Sequence, residues 1–288
     1  MFKRVYLYIV LGCLLCVGCE KRTASPAEKV SLDIQGDVAP IANSRAPFTD
    51  TYRGVIGITT QNEWVDGYGK IPMDISQGVI TTDPRAVFLS GGTYSFYSIV
   101  TSHAKGLTPS LDGTYPLAFG SVSNATTDTK QYGDMLRASV LDLPISQDSR
   151  TVNFAYKHIY GQIKVTLLYG GEFTPENVFD VLISDYYQTA RVDLRSGKIT
   201  QAQKAFKGQS IGVDLYYYAI PQEVSAQHPI TIRVCTFVGD QVIKVTDPAA
   251  NVEAGQSKNY QITLSTNSSV DIHMMDWFNY ITVDNDFE

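Results

Sequence analysis

The sequence predicts an all-β protein built from antiparallel sheets packed as two sandwich domains, and three observations carry that prediction. Apolar residues recur at period two in several short runs. Gly, Pro, Asn, Asp and Ser clusters interrupt those runs at short intervals. Tyrosine is abundant, with 18 copies among 288 residues, and suits half-buried strands and contact surfaces. Ile163, Val165 and Leu167 alternate with Gln162, Lys164 and Thr166, and Ile230, Ile232 and Val234 with Thr231, Arg233 and Cys235. Tyr260, Ile262 and Leu264 alternate with Gln261, Thr263 and Ser265. Such runs place one apolar face against a core and the other towards water. Asp66-Gly67, Gly91-Gly92, Asp112-Gly113, Gly170-Gly171 and Ser196-Gly197 are the turn signals. Only two short stretches, 174–179 and 132–138, are candidate helices.

From the beginning of the chain, residues 1–18 read as a signal peptide. Lys3 and Arg4 precede an apolar stretch at 5–17, too short for the roughly 20 residues that a membrane-spanning helix needs. Gly18 then precedes Cys19, which predicts a lipidated cysteine; a plain secretory signal or a short anchor helix are the other readings. The usual leucine three positions before that cysteine is replaced by Cys16. The following CEKRTASPAEK is polar and reads as a tether. A boundary is expected at the polar, proline-containing stretch 144–150, which divides the folded part into sandwiches at 46–146 and 147–265. The polar STNSS at 265–269 introduces a tail at 266–288 with its own alternation.

Charge and residue chemistry narrow the function classes. The net charge is −6, and loss of residues 1–18 removes two cations and no acid, taking it to −8. That sign, with no basic patch, argues against nucleic acid as a partner. Three of the four cysteines lie in the first twenty residues, so no disulfide framework is available to the folded part; Cys235 reads as a small buried residue. His103, His158, His228 and His273 are scattered without a second ligand at metal spacing, and His158 reads as a polar residue at a strand position. Glu172, Asp185 and Asp214 are isolated acids, and a glycosidase needs two brought together. No catalytic residue, metal or cofactor is predicted.

Several segments fall in a recognisable order: VSLDIQGDV at 30–38, NSRAPF at 43–48, TYRGVIGITT at 51–60, YGDMLRASV at 132–140 and VNFAYKHIYGQIKVTLL at 152–168. YYYAIPQE at 216–223, ITIRV at 230–234, AGQSKNYQITL at 254–264 and a short Trp-containing tail follow. In this order they resemble the fimbrillin family, pilin-like lipoproteins of Bacteroides-type bacteria. The resemblance implies two transthyretin-like sandwiches in tandem, on an outer-membrane lipoprotein exposed at the cell surface. It also implies polymerisation with other fimbrial subunits. A trypsin-like protease would cut between Arg45 and Ala46, so that the part up to Arg45 leaves with the lipid and strand 30–38 opens a groove. A tail segment of another subunit, 270–283, would fill it.

Strand physics is compatible with that mapping. A sandwich that loses an edge strand exposes unpaired backbone groups and an apolar trough, and an extended donor heals both. Val270, Ile272 and Met274 lie at period two, Ile281 and Val283 repeat the pattern, and Trp277 is a candidate anchor. The same alternation serves a strand packed on its own domain, and Arg45 reads equally as an ordinary loop arginine. Two other roles stay open: an uncut, permanently lipidated anchor subunit, and a surface module that binds glycan or protein through exposed aromatics.

Overall fold

The computed structural model describes residues 29–38, 51–76, 79–83, 86–102, 113–121 and 133–277, and within them the regular structure is almost entirely strand. Its largest sheet runs in the order β2 (Asp33–Val38), β12 (Thr151–His158), β11 (Met135–Ile145), β8 (Gly92–Thr101), β3 (Tyr52–Thr60), β5 (Ile71–Ser76) and β6 (Val79–Thr82). The short β4 (Glu63–Trp64) folds back on β3. β1 (Lys29–Ser31) pairs separately with β7 (Phe88–Ser90). Burial follows the predicted alternation: Val152, Phe154 and Tyr156 of β12 point inwards and Asn153, Ala155 and Lys157 outwards. The inward set joins Ile56, Ile58, Phe96, Val100 and Leu136 in one core.

The second half stacks two sheets. One has β13 (Gly161–Tyr169) between β18 (Tyr216–Ala219) and β21 (Ser257–Leu264), with β10 (Gly120–Ser121) and β22 (Ser269–Met275) at its edges. The other runs β17 (Gln209–Ser210), β14 (Val178–Ser184), β19 (Ile230–Thr236) and β20 (Gln241–Val245). Ile163, Val165 and Leu167 meet Val181, Ile183, Ile232 and Val234 between them. A three-stranded sheet of β16 (Ile199–Lys204), β15 (Tyr187–Asp193) and β9 (Thr114–Ala118) lies alongside.

Two expectations need correction. Residues 135–138 are the start of β11, because the apolar Met135, Leu136 and Ala138 find partners on β8; the other candidate helix shrinks to a 3-10 turn at Pro175–Asn177 before β14. The polar stretch at 144–150 is the end of β11 and the turn into β12, in which Ser146 and Ser149 exchange backbone hydrogen bonds, and not a linker. β12 beyond it lends its apolar face to the first core, so the crossing into the second core comes at Ile159–Gly161. In the other direction β9 and β10, early in the chain, pair with β15 and β18 of the second half.

A third core joins the halves. Val55, Tyr97, Ile99 and Met135 of the first sheet pack there with Tyr115, Leu117, Val192, Leu194, Tyr218 and Ile220. The halves are therefore held by an apolar contact as well as by strand pairing. Most tyrosines of the sequence runs are core residues: Tyr186, Tyr217 and Tyr218 are buried, and Tyr187 and Tyr216 half-buried.

Candidate assembly site at the chain ends

Of the residues expected to take part in assembly, Cys19, Arg45, Ala46, Ile281 and Val283 lie outside the described residues. The described ones belong to strand segment 29–38 and to the stretch from Val270 to Trp277.

At the N-terminal end, segment 29–38 passes from one sheet to another. β1 runs antiparallel to β7, Leu32 donates its N–H to Val87 O, Asp33 donates to Arg150 O, and β2 then runs parallel to β12 through six registered pairs. Val30 is buried, and Leu32 and Ile34 pack partly buried on the first core. Among the described residues β2 is the last strand of its sheet, and its second edge faces β6 across a trough of about 490 Å³ lined by Leu32, Ile34, Ile80, Thr82 and Val87. A Cβ at Gly36 would stand 2.9 Å from both Ile80 Cδ1 and Tyr156 Cε2, so a larger residue there would force these side chains to shift.

At the C-terminal end, β22 pairs antiparallel with β21 of its own half through seven registered pairs. Val270 and Ile272 are half-buried against the second core, opposite Ile262 and Tyr260, whereas Met274 is 62% exposed. Trp277 turns into the junction between the halves and is 6% exposed. Its ring centre lies 4.1 Å from that of His158 and 6.2 Å from that of Tyr218. Its buried Nε1–H meets no hydrogen-bond acceptor among the described residues.

His158 is not the isolated strand residue that its sequence neighbours suggest. Its Nδ1 lies 2.8 Å from Asp134 Oδ2, with both side chains almost fully buried. Tyr52 donates its hydroxyl to the same carboxylate at 3.2 Å, and the Asp134 N–H donates to Ser102 Oγ at 2.9 Å. A buried carboxylate is tolerated only with such partners. The signal in the sequence was weak, because these residues are far apart along the chain and only strand register gathers them.

A second concavity, of about 700 Å³, opens between Trp64, Asp66, Lys70 and the turn at Asp193–Arg195. Arg195 stacks 5.3 Å from the centre of the Trp64 ring and donates to Asn62 O at 2.7 Å. Arg137 donates to the carbonyls of Leu194 and Arg195 and so ties this turn to β11. Burial opposes ionisation of Asp193, but hydrogen bonds from Ser196 and the nearby Arg137 guanidinium outweigh it and hold the carboxyl below its usual range. The isolated acids stay apart: Asp214 meets Thr166 and Lys164, and Asp185 meets Thr231. Among the described residues no three His, Cys, Asp or Glu side chains gather as a metal site. Cys235 is buried as expected, and burial pushes its thiol up, with Asp240 and Asp180 adding to the effect.

Among the described residues, the first and last strands thus both lie at sheet edges of an all-β protein, where backbone groups are open to a further strand. The sequence model of the Fimbrillin-like family matches residues 54–277, and the chain belongs to that family. A candidate cell adhesion protein from Bacteroides uniformis shares the fold at a TM-score of 0.61 and 16% identity, covering 87% of this chain and 99% of its own. A second, from Bacteroides ovatus, has a TM-score of 0.58 and 16% identity over 89% of this chain and 100% of its own. The tip fimbrial protein Mfa3 from Porphyromonas gingivalis, with C-terminal truncation, has a TM-score of 0.53 and 11% identity over 87% of this chain and 100% of its own. Among curated proteins no sequence match was found.

Proposed function

We propose that the protein is a structural subunit of a cell-surface fimbria, exported as a lipoprotein on Cys19 and matured by a trypsin-like cut between Arg45 and Ala46. Removal of residues up to Arg45 then vacates the place of β1 and β2, and the tail of another subunit fills it. Family membership supports the fimbrial role, and neighbours described as adhesion and fimbrial proteins agree with it. The observation that carries the exchange mechanism is the placement of segment 29–38. It is a terminal strand on each of its sheets, with Val30 buried and an open trough beside Leu32 and Ile34. Its departure would expose a row of backbone groups on β12 and β7 and the apolar residues beneath them, which is the surface an incoming strand needs. Insertion from one subunit into the next is heterologous and does not close, so filaments follow.

The tail residues of this reading divide into two groups. Val270, Ile272 and Met274 sit on β22 and could be donated only after its ladder on β21 opens, whereas Ile281 and Val283 follow Trp277. The seven pairs of β22 and the buried Trp277 favour a second reading, in which the tail stays on its own domain and the protein is an uncut lipid-anchored subunit. N-terminal sequencing of protein sheared from the cell surface separates the two. Mature subunits should begin at Ala46, and mild trypsin on the full chain should give a stable fragment with the same start. A first cut at Arg53 removes the processing site from the mechanism, and sheared protein that still begins at Cys19 favours the anchor.

A further inference from the structure

We propose that the hollow between Trp64, Asp66 and Lys70 on one side and the turn at Asp193–Arg195 on the other binds neutral carbohydrate. The site lies away from the strand segments at 29–38 and 270–275, and it does not depend on the strand-exchange reading.

The platform is the Trp64 indole. Trp64 pairs with Thr59 of β3, and Gly57 of β3 pairs with Tyr97 of β8, so all four share one face of the sheet. A Cβ at Gly57 would stand 2.6 Å from Trp64 Cζ3 and 2.9 Å from Gly69 O, so the bare glycine lets the indole and the loop beyond it rest on the strand. Tyr97 meets the indole edge-on, with 6.2 Å between ring centres, and the Arg195 guanidinium lies 5.3 Å from the ring centre. Held in this way, Trp64 is still 41% exposed. Tryptophan is highly buried on average in folded proteins. A ring that is fixed in place yet open to solvent is the surface on which the C–H face of a pyranose can stack.

Both walls of the hollow are tied down. In the loop after β4, Val65 N–H donates to Ile58 O, Ile58 N–H to Tyr68 O and Tyr68 N–H to Val65 O, which fixes the turn that carries Asp66. Across the hollow, Arg137 donates to the carbonyls of Leu194 and Arg195, and Arg195 donates to Asn62 O at 2.7 Å. Asp193 Oδ1 accepts from the Ser196 N–H and hydroxyl, both at 2.7 Å. Walls already ordered spare an incoming ligand that entropic cost. The volume of about 700 Å³ suits a short oligosaccharide and lies within the range of roughly 300–1,000 Å³ usual for small-molecule sites.

Charge selects the ligand class. Lys70 and Arg195 balance Asp66 and Asp193 around the hollow, which leaves no net charge to attract an ion. The site offers an aromatic face ringed by donors and acceptors together. A neutral sugar matches this arrangement, because each hydroxyl both donates and accepts and the ring has an apolar face. An acidic sugar would meet the two carboxylates as well as the two cations.

Saturation-transfer NMR on the full chain tests the site, with maltotriose, cellotriose, mannotriose and xylotriose at millimolar concentration as probes and trigalacturonic acid as the charged comparison. At least one neutral trisaccharide should receive saturation, strongest at its ring C–H protons, and trigalacturonic acid should receive severalfold less. Trp64→Ala should weaken binding about tenfold at an unchanged thermal midpoint, and Trp64→Phe, which keeps a ring, only severalfold. Should Trp64→Ala fail to fold, Asp66→Ala combined with Lys70→Ala alters two exposed side chains and should weaken binding severalfold in a folded chain. Transfer to none of the neutral probes overturns the proposal, and so does a preference for trigalacturonic acid. A folded Trp64→Ala chain, or a folded double variant, that binds as tightly as the unaltered chain overturns it too.

Discussion

Among the described residues each half of the molecule contains one parallel strand pair, and the two pairs have opposite positions. In the second half β13 and β21 run parallel through eight registered pairs, with β18 and β22 outside them. In the first half β2 and β12 run parallel through six, and among the described residues β2 has no strand outside it. The ladder chemistry is the same, so the difference in consequence comes from position and burial. Tyr260, Ile262 and Leu264 of β21 are completely buried, and the sheet would split without them. Ile34 of β2 is half-buried beside an open trough, and the sheet that remains without it is still continuous from β12 to β6. A removable strand is thus one that a core tolerates losing, and the sequence motif alone does not confer that.

Substitution can break this comparison. Ile262→Ala should destabilise the protein by about 2–5 kcal/mol through a cavity in a fully packed site, read from a denaturant midpoint. Deleting residues 266–288 should cost less, since Val270 and Ile272 are only half-buried, although it removes the buried Trp277. It should leave a folded monomer that no longer polymerises after processing. A truncated chain that unfolds would place the tail in its own core, and one that still polymerises would end strand donation by this tail. Ile34→Ala should cost only about 1 kcal/mol, in keeping with its partial burial, while raising hydrogen exchange over 33–38 selectively. If Ile34→Ala proves as costly as Ile262→Ala, the asymmetry between the two parallel pairs is wrong.

High pH should act on both halves alike. Burial pushes the Tyr115 phenol up to about 12, and burial drives Tyr156 and Tyr260 upwards as well. These three sit in the junction, first and second cores respectively. An unfolded tyrosine ionises near 10, so the stability these groups hold is complete below about pH 10 and declines as pH rises towards their folded values. Tyr115→Phe should lessen that decline, because the Tyr115 hydroxyl meets no partner among the described residues. The smallest effect concerns Cys235: with its thiol buried and pushed up, labelling by a disulfide reagent at neutral pH should be slow in the native chain and fast in denaturant.

The runs at 163–167, 230–234 and 260–264 were legible as strands because period two is a local property, and each became β13, β19 or β21 with the expected face inwards. Turn signals were legible for the same reason, as at Gly171 and Gly197, which adopt φ of +65° and +69°. The stretch at 144–150 misled because a polar, proline-containing turn between two strands has the composition of a linker. The seat of Trp277 in the junction of its own chain was not legible, since a strand's alternation carries no record of which sheet receives it.

Local side-chain pattern therefore determined by itself that the chain is all-β, where most strands lie and which faces are apolar. Only the tertiary structure decided that 114–121 pairs with the second half, that β2 closes one end of a sheet in parallel, and that Tyr52, Asp134 and His158 meet beneath Trp277. The physical reason is that hydrogen-bonded pairing between strands is nearly sequence-blind at the backbone, so register and neighbour are chosen by the fit of whole apolar faces into shared cores.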